Sequence, residues 1–319
     1  MENSNLERIT SVKEYIEAIF DLRISDAENY SLSTHWFFRG QKNSQWHIYP
    51  NVFRDDFLTY EFAAIDAAIR QRPFDFRECS TKFEILTKLQ HYCLGTRLLD
   101  VTLNPLVALY FASEECEEYV TNKDGGKDKV NRDGKITYRH GTVQKLSKME
   151  VRIACAIPFI DFGSGITLSD FCSKLERENA ISSDELRLLE KNNYKEFTHI
   201  MAHNSFVLSP HSNERLARQC GAFLIPMAIK LDGESDYKGN YFVRKLQCNL
   251  DKEFNKQCFI IPSENKEQIR EELDFLNINE ATLFPELEHQ LKYLRNKKKY
   301  TNPLNIEIAE TFSGELHSQ

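Results

Sequence analysis

No run of about 18 apolar residues occurs in the 319-residue chain, so no segment is suited to cross a membrane as a helix. The opening Met1-Glu2-Asn3-Ser4 has no cationic stretch followed by an apolar one, so we expect no signal peptide. Eight cysteines are scattered with no CxxC pair, and several, such as Cys155 and Cys258, sit inside apolar runs. They read as reduced thiols, mostly small core residues, in a cytoplasmic protein. Positive charge is also in short supply. With 41 Lys+Arg against 48 Asp+Glu the formal net charge is −7, which excludes a protein that holds polyanions by bulk charge but leaves room for a local basic groove. The phosphate-cradling GxxxxGK[ST], a GxGxxG turn after a strand and the GxSxG nucleophile elbow are all missing. Asp161-Phe-Gly163 spells the kinase metal triplet, but no His-Arg-Asp loop precedes it, so it reads as a turn.

What is present is 41% hydrophobic and 28% charged residues, the balance of a globular protein large enough for a sizeable core. Val12, Tyr15, Ile16, Ile19 and Phe20 share one helical face. The aromatic run Thr34–Gln41 reads as a strand, and a second short strand is expected over Trp46–Tyr49. Residues 56–72 and 77–92 show helical spacing, with Pro73 between them as a breaker. Asn104-Pro105 is a good helix start, and that helix is expected to reach about Tyr119. Residues 121–141, polar and carrying two Asp-Gly steps, read as a surface insertion or a long hairpin loop. Val151–Ile160 reads as a buried strand and 166–204 as mostly helical. Strands are expected over Ala222–Ile229, Tyr241–Leu246 and Gln257–Ile261, followed by helices over Asn265–Leu276 and from Pro285 to Lys299. Helices first and strands later, without βαβ alternation, argue for an α+β fold.

Three isolated features have bland and sharp readings. His199 and His203 lie four apart, with His211 following, a spacing seen on zinc-binding helices, yet the glutamate of HExxH is absent and ordinary histidines are the simpler reading. Cys220 with His203 or His211 has the types of a nucleophile and base, but nothing in the sequence brings them together. Arg295–Lys299 carries four cations in five residues, which suits a helix end complementing its own dipole or a local nucleic-acid contact.

Two segments are more specific. Trp36-Phe-Phe-Arg39-Gly40-Gln41 with Trp46 and Pro50, and Leu89-Gln90-His91-Tyr92 through Thr96-Arg-Leu-Leu-Asp100-Val-Thr102-Leu-Asn104-Pro105 to Tyr110-Phe111-Ala112, resemble the FRG-domain family. Arg215-Leu-Ala-Arg218-Gln219-Cys-Gly221-Ala-Phe223 and Leu283-Phe-Pro-Glu286-Leu-Glu288 extend the likeness over about residues 35–295. Gly95, Val101, Cys220 and His289 depart from the family's commoner residues without removing obvious chemistry. The order of an early Arg, a Thr and a late Glu is similar to the layout of ADP-ribosyltransferases.

That resemblance implies a single domain over 34–300, with a mixed or antiparallel sheet core of ADP-ribosyltransferase-like type, flanking helices and the long inserted loop 121–141. A helical extension (1–33) precedes it and a tail (301–319) follows. It also implies NAD as substrate and a sugar transfer through an oxocarbenium-like ribose, which a carboxylate stabilises. Glu288 is the first candidate for that carboxylate and Glu286 the second. Arg39 would clamp the pyrophosphate, Thr102 would frame the ribose, and Tyr110 or Phe111 would stack on nicotinamide. His91 and Arg218 are further cofactor-binding candidates, with Arg97 and Arg215 completing a local cationic pocket. The implied protein is a bacterial toxin or phage-defence effector with a neutralising antitoxin and a chaperone. Its acceptor is nucleic acid, RNA first, because Trp36, Trp46, His47, Tyr49 and Arg54 form an aromatic and basic rim, with a protein side chain as the other acceptor class. Structural readings stand beside these. Arg39 could pair with Asp100 or Glu288, Arg97 and Asp100 could pair with each other, and His91 could be a hydrogen-bonded core residue. A non-catalytic nucleotide- or phage-sensing module and a plain NAD glycohydrolase are the competing functions.

Overall fold

The computed structural model describes residues 7–25, 34–54, 56–122, 125–163, 165–192, 194, 197, 203–208, 214–232, 242–254 and 258–297. Its strands are β1 (Glu7–Arg8), β2 (Thr34–Gln41), β3 (Leu99–Thr102), β4 (Glu117–Thr121), β5 (Lys127–Asn131), β6 (Gly134–Thr142), β7 (Ile166–Thr167), β8 (Ser205–Leu208), β9 (Gly221–Ile225), β10 (Ile229–Asp232), β11 (Phe242–Lys245) and β12 (Cys258–Ile261). Its helices are α1 (Val12–Ser25), α2 (Glu61–Gln71), α3 (Pro73–Phe76), α4 (Lys82–His91), α5 (Pro105–Ala112), α6 (Met149–Ala156), α7 (Leu168–Arg177), α8 (Ser183–Lys191), α9 (Glu214–Arg218), α10 (Lys266–Phe275), α11 (Glu280–Leu283) and α12 (Leu287–Lys297). Among the described residues no helix is long and apolar enough to cross a membrane.

The fold is α+β around a mixed seven-stranded sheet in the order β1-β12-β6-β2-β3-β9-β8. Only β1 and β12 run parallel in it. Strands β10, β11 and β7 make a separate antiparallel sheet, and β4 and β5 a hairpin. The two-residue period of a strand explains how the large sheet is packed. Phe37 joins Ile48, Val101, Phe206 and Leu224 on one face, while its neighbour Phe38 joins Tyr15, Val107, Tyr138 and Phe259 on the other. Likewise Leu224 serves the first face and Phe223 packs with Phe83, Leu86 and Ile153 on the second.

The second face therefore carries two helical packs side by side. One draws on α1, α5, α10 and α11, the other on α2, α4, α6, α7 and α8. Between them the middle strands β2, β3 and β9 are left uncovered. Because Leu99 and Val101 point to the first face, Asp100 and Thr102 point into this gap.

Helix α5 lies very close to the sheet, and two glycines permit it. A Cβ on Gly40 would overlap the carbonyl of Ala108, and one on Gly134 the carbonyl of Ala112. These atoms are backbone and cannot swing aside. Gly40→Ala is expected to cost at least about 3 kcal/mol, the upper end for overpacked cores. The check is a lowered denaturant midpoint with unchanged slope.

Several sequence expectations are met. Strand β2 spans Thr34–Gln41, α4 lies within the expected 77–92, its start later than expected and fixed by a Thr81/Glu84 capping box, and the Asn104 side chain caps α5 with Pro105 in its first turn. The described part of 1–33 joins the core, with β1 on the sheet edge and Tyr15 buried under α10 contacts such as Val12 N–H to Glu272 Oε2 at 2.7 Å.

Others are corrected. Val151–Ile160 is not a strand: Met149–Ala156 is α6, with a short 3-10 turn after it. Val151 and residues 153–157 are all buried, so the run has no polar face from which a period could be read. The expected insertion 121–141 is only partly one. Residues 134–142 form β6, which pairs with β2 at eight positions and buries Ile136 and Tyr138. Its intervening Lys135 and Arg139 made it look like a loop, but they bond the Trp46 and Glu253 carbonyls on the other side. Trp46–Tyr49 is irregular and tied down by Ile48 N–H to Asp251 Oδ1 at 2.8 Å. Helix α5 stops at Ala112, where the Ser113 hydroxyl donates to the Tyr110 carbonyl at 2.9 Å, and Glu117–Thr121 is a hairpin strand instead.

Candidate functional site

The gap between the helical packs is a cleft of about 440 Å³, inside the range typical of small-molecule sites. Its floor is Phe38, Gly40, Asp100, Thr102, Gly221 and Phe223, contributed by β2, β3 and β9. The C-terminal end of α4 supplies Gln90 and His91, α5 supplies Phe111, and Arg215 comes from α9. Arg39 and Asn51 also line it.

Arg39 donates from Nη1 to the Asp100 carbonyl at 2.5 Å, while its Nε is buried without a partner among the described residues. Burial lowers the pKa of its guanidinium, the Asp100 charge opposes this, and Arg54 adds to it. Asp100 meets solvent through the cleft but is crowded by protein on its other sides. That desolvation raises its pKa, partly offset by Arg39, by the Gln90 amide at 2.8 Å and by Arg215. Gln90 is held by the Thr96 hydroxyl.

Glu286, from the segment just before α12, is not itself part of the cleft lining but bonds to residues that are. Its Oε1 accepts from His91 Nε2 at 3.0 Å and lies 3.9 Å from Arg215 Nη1. Its Oε2 is buried without a partner among the described residues. Burial pushes this carboxyl up, yet its own backbone amide, Arg215 and His91 together hold it below the usual range. Arg215 also lies over the Phe284 ring at 4.6 Å, and Phe284 meets Phe111 edge-on at 6.2 Å. The segment is clasped to α9 by Gln219 Nε2 to the Leu283 carbonyl at 3.2 Å and Arg218 Nη1 to the Thr282 carbonyl at 3.4 Å.

The other sequence candidates are dispersed. Thr102 lies on the floor, but its hydroxyl donates to the Gln219 carbonyl at 2.7 Å and accepts from Asn104 N–H at 3.0 Å, closing the turn into α5. Glu288 is exposed on α12 and does not line the cleft. Tyr110 is buried in the other pack with Arg270 over its ring at 4.5 Å, whereas its neighbour Phe111 reaches the cleft. Arg218 pairs with Glu214 at 2.5 Å and does not line the cleft. Arg97 does not pair with Asp100. It is fully buried against Glu61, with Nε to Oε1 at 2.7 Å and Nη2 to Oε2 at 2.7 Å, so it is no part of a cationic pocket at the cleft. His47 is held by Asp251 at 2.5 Å, and Trp36 packs against His140 and Tyr138. His199 and His211 lie outside the described residues, as does the tail 301–319. Among the described residues no three His, Cys, Asp or Glu side chains group as a metal site.

Asp100 and Gln90 were missed as cleft residues in the sequence. The signal for Asp100 was there, since apolar Leu99 and Val101 place it on Thr102's face. Residues 34–120 match the FRG domain, which supports the FRG-domain family for this chain over β2 to β4. No curated protein and no solved structure matches the chain.

Proposed function

We propose that the cleft binds NAD and that the protein is an ADP-ribosyltransferase, a toxin or phage-defence effector that modifies nucleic acid, RNA foremost. The observation that carries this is that the cleft lining brings together Arg39, whose Nε is buried without a partner among the described residues, and the pair His91 and Arg215, which hold the Glu286 carboxylate, whose Oε2 likewise lacks one. A buried donor and a buried acceptor each lose free energy unless a ligand completes them. A dinucleotide presents both complements, phosphate oxygens for the guanidinium and ribose hydroxyls for the carboxylate.

In this reading Arg39 holds the pyrophosphate, Phe111 stacks on the nicotinamide ring, and Gln90 and Asn51 orient the ribose. The C1′–nicotinamide bond breaks, its electron pair leaving with neutral nicotinamide. Glu286 bonds the ribose hydroxyl and faces the positive charge that develops, favouring the transition state over the ground state. His91 and Arg215 keep that carboxylate ionised and aimed. The acceptor's lone pair then bonds C1′, and its proton passes to Asp100. Trp46, 37% exposed, stands at the end of the loop that reaches the cleft at Asn51 and offers a face for an RNA base. An enzyme of this kind calls for a neutralising antitoxin and a chaperone in its host.

One observation favours a second reading: Thr102, Glu286 and Arg215 already have protein partners, as in a nucleotide-sensing module that binds without cleavage. Purified protein incubated with NAD labelled in the adenylate separates the two. Label on RNA, lost in Arg39→Ala, supports transfer. Saturable NAD binding with no labelled polymer and no released nicotinamide establishes the sensor. Nicotinamide release without labelled polymer identifies a glycohydrolase.

A further inference from the structure

Helix α12 is turned inside out. The side chains that face the protein are polar: His289 Nδ1 meets Glu280 Oε1 at 2.9 Å, Lys292 Nζ the same oxygen at 2.7 Å, Gln290 Nε2 the Phe284 carbonyl at 2.9 Å, and the Tyr293 hydroxyl Asp274 Oδ1 at 2.6 Å. The side chains that face solvent are Leu287, Leu291 and Leu294, 71%, 56% and 59% exposed. An ordinary surface helix has the opposite arrangement.

The leucines are four and then three residues apart, the heptad spacing of a seam that packs against another helix. At 100° per residue they fall within a stripe about 60° wide. Glu288 and Arg295, seven residues apart and both exposed, lie together on one flank of that stripe. Charges on the same flank face each other only when two such helices run antiparallel. In a parallel pair each flank meets the opposite flank of its partner.

We propose that α12 pairs with α12 of a second copy of this chain, antiparallel, about a two-fold axis near Leu291. The leucine seams close on each other, Leu291 of one copy against Leu291 of the other with Leu287 opposite Leu294, and Glu288 meets the second copy's Arg295 at both ends. This pairing does not depend on the NAD reading. It does bear on the cleft, because Glu286 immediately precedes α12.

Sedimentation of the full chain over a wide concentration range tests the pairing. A monomer–dimer equilibrium is expected, with Leu291→Glu monomeric at an unchanged unfolding midpoint. Glu288→Lys should weaken the dimer about tenfold, and Glu288→Lys combined with Arg295→Glu should restore it. Oxidative cross-linking, read against the unsubstituted chain, should join copies of Leu291→Cys but not of Leu287→Cys, whose positions lie at opposite ends of the seam. A chain monomeric at all concentrations overturns the proposal and leaves the face to residues 298–319 or to a different protein. A dimer indifferent to Leu291→Glu, or equal cross-linking at 287 and 291, overturns it as well.

Discussion

In the proposed NAD-cleaving role, Glu286→Gln is expected to lower nicotinamide release by roughly 100-fold or more, the scale for removing one group that stabilises charge in a transition state, while Glu288→Gln is expected to retain it. The two glutamates are two residues apart, and the resemblance alone favoured the second. The difference is positional. Glu286 is held by two residues of the cleft lining, His91 and Arg215, whereas Glu288 is exposed on the chain's last described helix. An amide in place of the Glu286 carboxylate would still accept a hydrogen bond from the ribose but could not oppose a positive charge. NAD affinity is therefore expected to change little while turnover falls, and measuring both in one titration checks this. Loss of turnover in Glu288→Gln with Glu286→Gln active would reverse the assignment.

The largest stability effect is expected at a buried pair that does not line the cleft. Glu61→Ala should cost about 3–5 kcal/mol, because it strands a fully buried guanidinium. Arg97 and Glu61 are both inaccessible, joined by two parallel bonds, and Lys245 Nζ reaches Glu61 Oε2 at 2.9 Å. Arg97 also lies 3.3 Å from the Ala228 carbonyl. Burial pushes the Glu61 carboxyl up, but Arg97 and Lys245 outweigh it and hold it below its ordinary value of 4.5. A folded pKa below the unfolded one means the group stabilises the protein above pH about 4.5, and this is lost as pH falls through the folded value. Urea unfolding of the wild type should therefore weaken with acid in that window, and Glu61→Ala should lose that part of the slope.

How far the sequence disclosed the protein differed from element to element. Thr34–Gln41 and the Asn104-Pro105 start of α5 were readable because each carries its own local physics, an aromatic strand run or a cap. Strand β6 was not, because its outward residues are Lys and Arg and only Ile136 and Tyr138 mark the core side. Helix α6 was not, since a run buried all round has no face. The site was half legible. Arg39, Thr102, His91 and Phe111 lie at the cleft, but Tyr110 and Phe111 are adjacent on one apolar helix, and only the helical rotation between them decides which reaches it. Arg97 was assigned to Asp100 from three residues away, while its true partner Glu61 is 36 positions earlier. A salt bridge at that separation leaves no pattern in the chain.

The clasp between α9 and residues 282–283 makes the surroundings of the cleft a product of contacts distant in sequence. Arg39, Asp100 and Thr102 come from β2 and β3, Arg215 from α9 and Glu286 from the segment before α12. The anion-facing arginine and the carboxylate therefore sit on separately tethered parts of the fold. Loosening the clasp, as in Gln219→Ala, is expected to disturb the Glu286–Arg215 pair while leaving Arg39 and Asp100 in place.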